Sequence, residues 1–215
     1  MSKRILVTSG PTRAALDDVR FLTNRSTGRF GTLLAREALK RGCRVTFVYG
    51  IGSEIPPRHH RLQTIAIETN EDLKAVLRHE LKNRRYDAVI HAMAVLDFRP
   101  EKIGKGKRSS RVGRWSVTFV PTPKIISRIK KWSPDVFLVG FKLESGLSVP
   151  RLIRRGRMLL RDSGADLVLV NQLPQGDDER HTGYLLLKGR SDSRKVTGKK
   201  QLAQKIISHI LDISY

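Results

Sequence analysis

Apolar positions along this chain follow two alternating rhythms. Short apolar runs recur at Arg4–Ser9, 45–49, 88–92, 136–141 and 167–170, bounded by turn or polar residues, and predict buried parallel strands, while 62–67 alternates and reads as a further strand. Between them apolar residues return at helical spacing: Phe30, Leu33, Leu34 and Ala38 up to a stop at Gly42, a helix capped by Asn70 and ending near Arg85, and a short helix over 123–131. A basic helix over 150–161 follows, and Lys199–Leu211 closes the chain with Leu202, Ile206, Ile207 and Ile210 on one face. Residues 115–120 and 183–188 read as further strands, the second antiparallel. Strands alternating with helices predict an α/β fold: a Rossmann-like, doubly wound, mostly parallel sheet with helices on both faces, in a single domain over 1–215.

Charge changes this picture more than composition does. Forty-two Lys and Arg against 20 Asp and Glu leave a formal net charge of +22, so anionic partners are expected. The lone Cys43 excludes a disulfide within the chain and suits a reducing cytoplasm. The apolar stretch 5–7 is too short for a secretion signal, and no run approaches the roughly 20 residues of a membrane span, so a cytoplasmic protein without a membrane partner is expected. Of six histidines only His59 and His60 are neighbours, which is no zinc-ligand spacing, and no metal ligand can be named. The segment at about 97–114 has little periodicity and carries GKGKRSSRVGR; it reads as a basic mobile loop and a candidate lid.

In doubly wound sheets ligands bind beyond the carboxyl ends of the strands, which selects the loops 10–28 and 93–107 and the segment from Phe141 onward. The first loop brings Ser26, Thr27 and Gly28 to a helix entrance, where unpaired amides and hydroxyls suit a phosphate; simple capping by Ser26 or Thr27 is the plainer use. Gly28-x-x-Gly31 covers only part of the dinucleotide fingerprint, and no acidic residue ends the strand 45–49, so a nicotinamide site is not indicated.

The order of residues within these loops is more specific. The stretches VTSGPTRAALDDVRFLTNRSTGRFG (7–31), HAMAVLDFRPEKIGK (91–105), VGFKLES (139–145) and DLVLVN (166–171) resemble the phosphopantothenate-cysteine ligase family, in the family's order and over nearly the whole chain. In many bacteria that synthetase is fused behind a flavin-dependent decarboxylase; a chain of this length is similar to the stand-alone form, without flavin. The resemblance implies coenzyme A biosynthesis. A nucleoside triphosphate, with Mg²⁺, activates the carboxylate of 4′-phosphopantothenate as an acyl-nucleotidylate, and the amine of L-cysteine displaces the nucleotide monophosphate. It also implies a homodimer. The bacterial character of the first motif favours CTP, with ATP as the alternative.

Residue by residue, the resemblance places Asn24 where an amide donates to the acyl carbonyl during cysteine attack, although Asn in such a loop also serves to stabilise an irregular turn. Lys102 falls on the first Lys of the family's K-x-K-K motif, facing the phosphates and leaving group, and Lys105 on its last; Gly104 replaces the third position. Gly10, Pro11 and Thr12 open the nucleotide-binding loop. Asp97 matches the acidic nucleotide contact, with pairing to Arg99 as the plain alternative. Phe141 matches an aromatic against the base, and Pro123, Lys124, Ile125 and Ile126 a turn at the same base; a core aromatic is the plain use of Phe141. Lys142 is a further phosphate candidate, and Arg157 and Arg161, four apart on one helix, stand in for two family lysines. The charge of +22 exceeds what such an enzyme needs. A nucleic-acid-binding protein on a degenerate synthetase fold is therefore the second class of reading, disfavoured because aromatics make up only 6% and are not interleaved with the basic tracts.

Overall fold

The computed structural model describes residues 2–111, 113–173 and 181–212; Val112, within the basic tract, lies outside the described residues. In chain order the elements are β1 (Arg4–Ser9), β2 (Arg13–Ala15), β3 (Phe21–Thr23), α1 (Arg29–Lys40), β4 (Arg44–Gly50), β5 (Leu62–Ile67), α2 (Asn70–Asn83), β6 (Ala88–His91), β7 (Phe98–Pro100) and β8 (Phe119–Pro121). There follow α3 (Ile126–Trp132), β9 (Phe137–Glu144), α4 (Val149–Ser163), β10 (Leu167–Gln172), β11 (Thr182–Leu187), β12 (Arg194–Thr197) and α5 (Lys199–Leu211).

Eight strands form one sheet in the order β12-β11-β10-β9-β6-β1-β4-β5, and its six parallel members, counted in chain order, lie 3-2-1-4-5-6. The order reverses between β1 and β6, so the loops leaving these two strands part at the centre of the sheet. Strand alternation sends neighbouring residues into opposite layers. Ile5, Val7, Phe47 and Ile90 pack under α1 and α5 through Leu34, Ala38, Leu202 and Ile206. Leu6, Val48, Val89 and Leu138 pack under α2, α3 and α4 through Leu73, Leu77, Ile129 and Leu152. Burial on both faces is why the central strands read as unbroken apolar runs.

The Rossmann-like expectation holds, and the differences are local. Thr69, not Asn70, caps α2: its hydroxyl accepts from the Asp72 amide at 3.1 Å, while the Asp72 carboxylate accepts from the Thr69 amide at 2.9 Å. Asn70 is instead buried, and its Nδ2 donates to the Leu96 carbonyl at 2.8 Å. The loop 10–28 contains the β2–β3 hairpin, whose three-residue strands are too short to show a period. The strand expected at 115–120 reduces to β8, paired with β7, with single backbone hydrogen bonds beyond each end, from Glu101 to the Thr118 carbonyl and from Thr122 to that of Asp97, both at 2.9 Å; Pro100 and Pro121 are accommodated because they fall in non-hydrogen-bonded pairs of the ladder. The antiparallel β12, polar and mostly exposed, gave no alternation to read, and β9 runs on past Phe141 as a solvent-facing end.

Candidate functional site

At the switch point the two central loops are joined. Ala94 donates its amide to the Gly10 carbonyl at 2.8 Å, Pro11 bridges Ala94, and the buried Thr12 hydroxyl accepts from the Leu96 amide at 2.9 Å. Gly10, Pro11 and Thr12 therefore brace the loop after β6. Asn24 adds a third tie: its Nδ2 lies 3.0 Å from the Ala94 carbonyl and 3.3 Å from that of Val95. The amide is thus aimed at the loop that carries Asp97.

Gly28, at φ 78°, is the N-cap of α1, and no side chain caps that helix end. Thr27 is exposed and its hydroxyl accepts from the Arg29 amide, the first of α1, at 3.4 Å, while Ser26 is half-buried and makes no hydrogen bond to the helix end among the described residues. A Cβ at Gly31 would come 2.2 Å from the Ser9 hydroxyl; the glycine lets α1 seat against the end of β1. This close helix–strand packing is one job of glycine in dinucleotide-type loops, here without the full motif.

Asp97, Pro123, Lys124, Ile125, Ile126, Phe141 and Lys142 all line one cleft of about 440 Å³ beyond the carboxyl ends of β6 and β9. Asp97 pairs with Lys124 at 2.5 Å, not with Arg99. Both side chains are more than half exposed, so the pair contributes little stability and opens readily to a ligand. Phe141 is partly buried, edge-on to Phe30 with ring centres 5.8 Å apart, which is a core role as well as a cleft wall. Lys142 reaches Glu144 at 3.3 Å.

Two groups of candidates lie elsewhere. Lys102 and Lys105 line a separate cleft of about 500 Å³ formed by the basic loop with Leu16, Asp17 and Trp115. Arg157 and Arg161 are corrections: Arg157 donates to the carbonyls of Leu187, Arg190 and Asp192, clamping the turn between β11 and β12, and Arg161 lies beside Asp162 without lining the cleft. Leu152, Gly156 and Leu160 turn inward and set the phase of α4, so Arg155, Met158 and Asp162 face the cleft instead. That phase is readable from the apolar spacing, and sequence reasoning missed Arg155 by matching spacing to the family rather than to the helix face. His91, also missed, lines the cleft with its Nδ1 2.9 Å from the Thr8 hydroxyl; burial pushes its pKa down to about 4, so it is neutral at physiological pH.

The basic loop is latched to the first loop by Asp17. Burial would raise this carboxyl, but the amides of Val19, Arg20 and Arg108 and the Arg20 guanidinium outweigh it and hold the pKa at about 2 against an ordinary 3.8. Trp115 lies beside the Arg20 and Arg108 guanidiniums, 5.2 and 5.6 Å from its ring centre. Because the folded pKa is the lower one, the latch is at full strength above about pH 4 and is lost as pH falls toward 2. Asp17→Asn is expected to loosen the loop already at pH 7. In a Trp132→Phe background, Trp115 emission should shift on acidification through that window in the parent and be shifted at neutral pH in Asp17→Asn. Identical emission at pH 7 with and without the carboxylate would remove Asp17 as the latch.

Among the described residues no three His, Cys, Asp or Glu groups converge as a metal site, and no helix is long and apolar enough to cross a membrane. The chain is 39% identical over 211 residues, 97% of its length, to the coenzyme A biosynthesis bifunctional protein CoaBC of Thermococcus kodakarensis, and 29% identical over 222 residues to that of Mycobacterium tuberculosis. It spans about half the length of these curated relatives. A crystal structure of the DNA/pantothenate metabolism flavoprotein from Streptococcus pneumoniae superposes with a TM-score of 0.90 at 29% identity, covering 98% of this chain and 99% of that one. A Cab2 mutant in complex with phosphopantothenate-cysteine shares the fold, with a TM-score of 0.78 at 19% identity over 97% of this chain and 85% of that one. Matched over residues 1–213, the chain belongs to the family of DNA/pantothenate metabolism flavoprotein C-terminal domains.

Proposed function

We propose that this chain ligates L-cysteine to 4′-phosphopantothenate through an acyl-nucleotidylate, as a single domain. The observation that carries this reading is the convergence of Asp97, Lys124, Phe141 and Lys142 on one cleft at the switch point, beside a loop that presents Asn24 and an uncapped helix end. The Cab2 complex, on the same fold, supports the substrate pair, and the CoaBC relatives support the pathway.

In this reading the nucleotide base lies along Pro123 to Ile126 and Phe141, with Asp97 at the ribose or the metal and Lys142 at the phosphates. Arg155 replaces Arg157 and Arg161 as the α4 cation at the cleft. Mg²⁺ fits this donor set: it needs few protein ligands when carried on a triphosphate, and Asp97 and Asp162 are single accessible carboxylates at the cleft. When bound it neutralises phosphate charge. Lys102 and Lys105 supply cations where charge builds on the α-phosphate as pyrophosphate leaves. Asn24 then donates to the acyl carbonyl as the cysteine amine attacks.

The chain acts as a homodimer in this proposal. Val19 and Phe21 at the β2–β3 hairpin, and Phe98, Ile103 and Phe119 in and between the strands of the β7–β8 hairpin, which meets it through β2 and β7, are 43–62% exposed and are the apolar side chains that a second copy would cover. The pair brings one copy's basic loop to the other's nucleotide cleft, which is how Lys102 meets Asp97. Pyrophosphate release with 4′-phosphopantothenate, cysteine and magnesium tests the function, comparing CTP with ATP and omitting each substrate in turn. Release that depends on phosphopantothenate is expected, faster with CTP. No release from folded protein with either nucleotide would overturn the proposal and favour the nucleic-acid reading.

A further inference from the structure

At the opposite, amino-terminal edge of the parallel strands lies a cleft of about 570 Å³ lined by Arg4, Arg44, His60, Arg61, Arg84 and Tyr86. Strand register forces two of these cations together. β1 and β4 pair with Arg4 opposite Arg44, and both side chains share parity with Leu6 and Val48, so they leave the same face of the sheet. Like charges on adjacent strands repel, and neither guanidinium has an ion-pair partner among the described residues.

The other two arginines are held in place. Arg61 donates through Nη1 to the Gly42 carbonyl at 2.7 Å, and its Nε lies 3.2 Å from His60 Nε2. Arg84 donates to Gln63 Oε1 at 2.9 Å and sits 3.6 Å from Glu80. Glu80 is buried and already accepts from the Tyr86 hydroxyl, which lies 2.9 Å from Thr46. Asp87 accepts from the Arg4 backbone amide at 2.6 Å, and Arg4 lines the cleft. Two tethered guanidiniums and two without an ion pair among the described residues therefore line one solvent-open cleft.

We propose that this cleft is a second anion site that takes the phosphate chain of a di- or triphosphate-bearing molecule. Guanidinium forks match phosphate oxygens in pairs, and an anion between Arg4 and Arg44 turns their repulsion into attraction. The site is separate from the reaction cleft: β1 runs from Arg4 at one edge to Ser9 at the other, roughly 16 Å at 3.3 Å per residue, too far for one triphosphate to reach both. Free polyphosphate and nucleotides share this chemistry, and the test has an arm for each.

The full chain is titrated calorimetrically with inorganic tripolyphosphate and, separately, with CTP. In Arg4→Gln/Arg44→Gln one tripolyphosphate binding event seen in the parent is expected to weaken at least about tenfold. If CTP binds the lost event more tightly than tripolyphosphate, a nucleotide is the occupant; equal affinity assigns the phosphate chain alone. Without anion the double variant should melt no lower than the parent, since a repulsion is removed, and with tripolyphosphate its melting rise should be smaller. The single variant Arg44→Gln reads the same event with less change to the sheet edge. A parent that binds no tripolyphosphate, or isotherms unchanged in both variants, would overturn the site.

Discussion

Asn24→Ala is expected to release pyrophosphate in a single turnover at close to the parent rate and then to pass its acyl group to cysteine about 10²- to 10³-fold more slowly. An amide NH₂ is a neutral donor that leaves the attacking amine uncharged and can be held at the acyl oxygen. A developing negative charge on the acyl oxygen needs a fixed donor, and Nδ2 of Asn24 is already aimed at the loop holding Asp97, 3.0 Å from the Ala94 carbonyl. The alternative role is structural, since the same nitrogen ties the first loop to that loop. The two roles separate by step: a lost tie disturbs the nucleotide cleft and slows both half-reactions together, whereas a lost donor slows only the second. Rapid quench with both products counted decides it. Asn24→Asp, which keeps the shape and removes both N–H groups, should share the second-step defect. Because Asn24 is exposed, either variant should keep its fold. Equal slowing of both steps would reassign Asn24 as a loop tie.

The central parallel strands were legible because a strand buried on both faces must be apolar throughout, as RILVTS is over Ile5 to Val7; their order in the sheet was not, since it is set by crossovers that no local pattern records. Helix α5 was legible over its full length for a similar reason, with Leu202, Ile206 and Ile210 on one stripe. What escaped was built from exposed or very short pieces. The β2–β3 and β7–β8 hairpins have three-residue strands whose outward residues include Phe21, Phe98 and Phe119, so solvent exposure could not be inferred from polarity. The residues from Asp97 through Lys124 to Lys142 line one cleft because the segments after β6 and β8 meet the carboxyl-terminal half of β9 there. Arg157 and Arg161 failed because a spacing of four fixes one face of a helix without saying which way that face turns. Leu152, Gly156 and Leu160 say so, and they direct Arg157 to the β11–β12 turn. Asp17 was invisible as a latch because, beside the nearby Arg20 guanidinium, it is held by three backbone amides, one of them 91 residues away. The arginine cleft depends on the pairing of Arg4 with Arg44, a register that no local pattern reveals.

Lys102→Ala is expected to reduce formation of the acyl-nucleotidylate by at least about 10²-fold while leaving cysteine transfer from preformed intermediate unchanged. Lys102 is exposed on the loop after β7 with no hydrogen bond or ion pair among the described residues, so removing it costs the fold little. Its cleft is not the one that holds Asp97, and the proposed dimer resolves this by letting each copy lend its loop to the other. That geometry has an arithmetic consequence. Lys102→Ala and Asp97→Ala homodimers are both expected to be impaired. After random exchange of equal amounts, half the dimers are mixed, and each mixed dimer holds one intact site, with Asp97 from one copy and Lys102 from the other. Total pyrophosphate release should therefore recover to about a quarter of the parent rate. If Lys102 served its own chain's cleft, every site in the mixed dimer would lack one residue and no activity would return. Lys105→Ala, further along the same loop, should be impaired less and show the same recovery. Absence of recovery in exchanged dimers, with exchange verified by mass, would place the reaction within one chain and require the loop to move onto its own cleft.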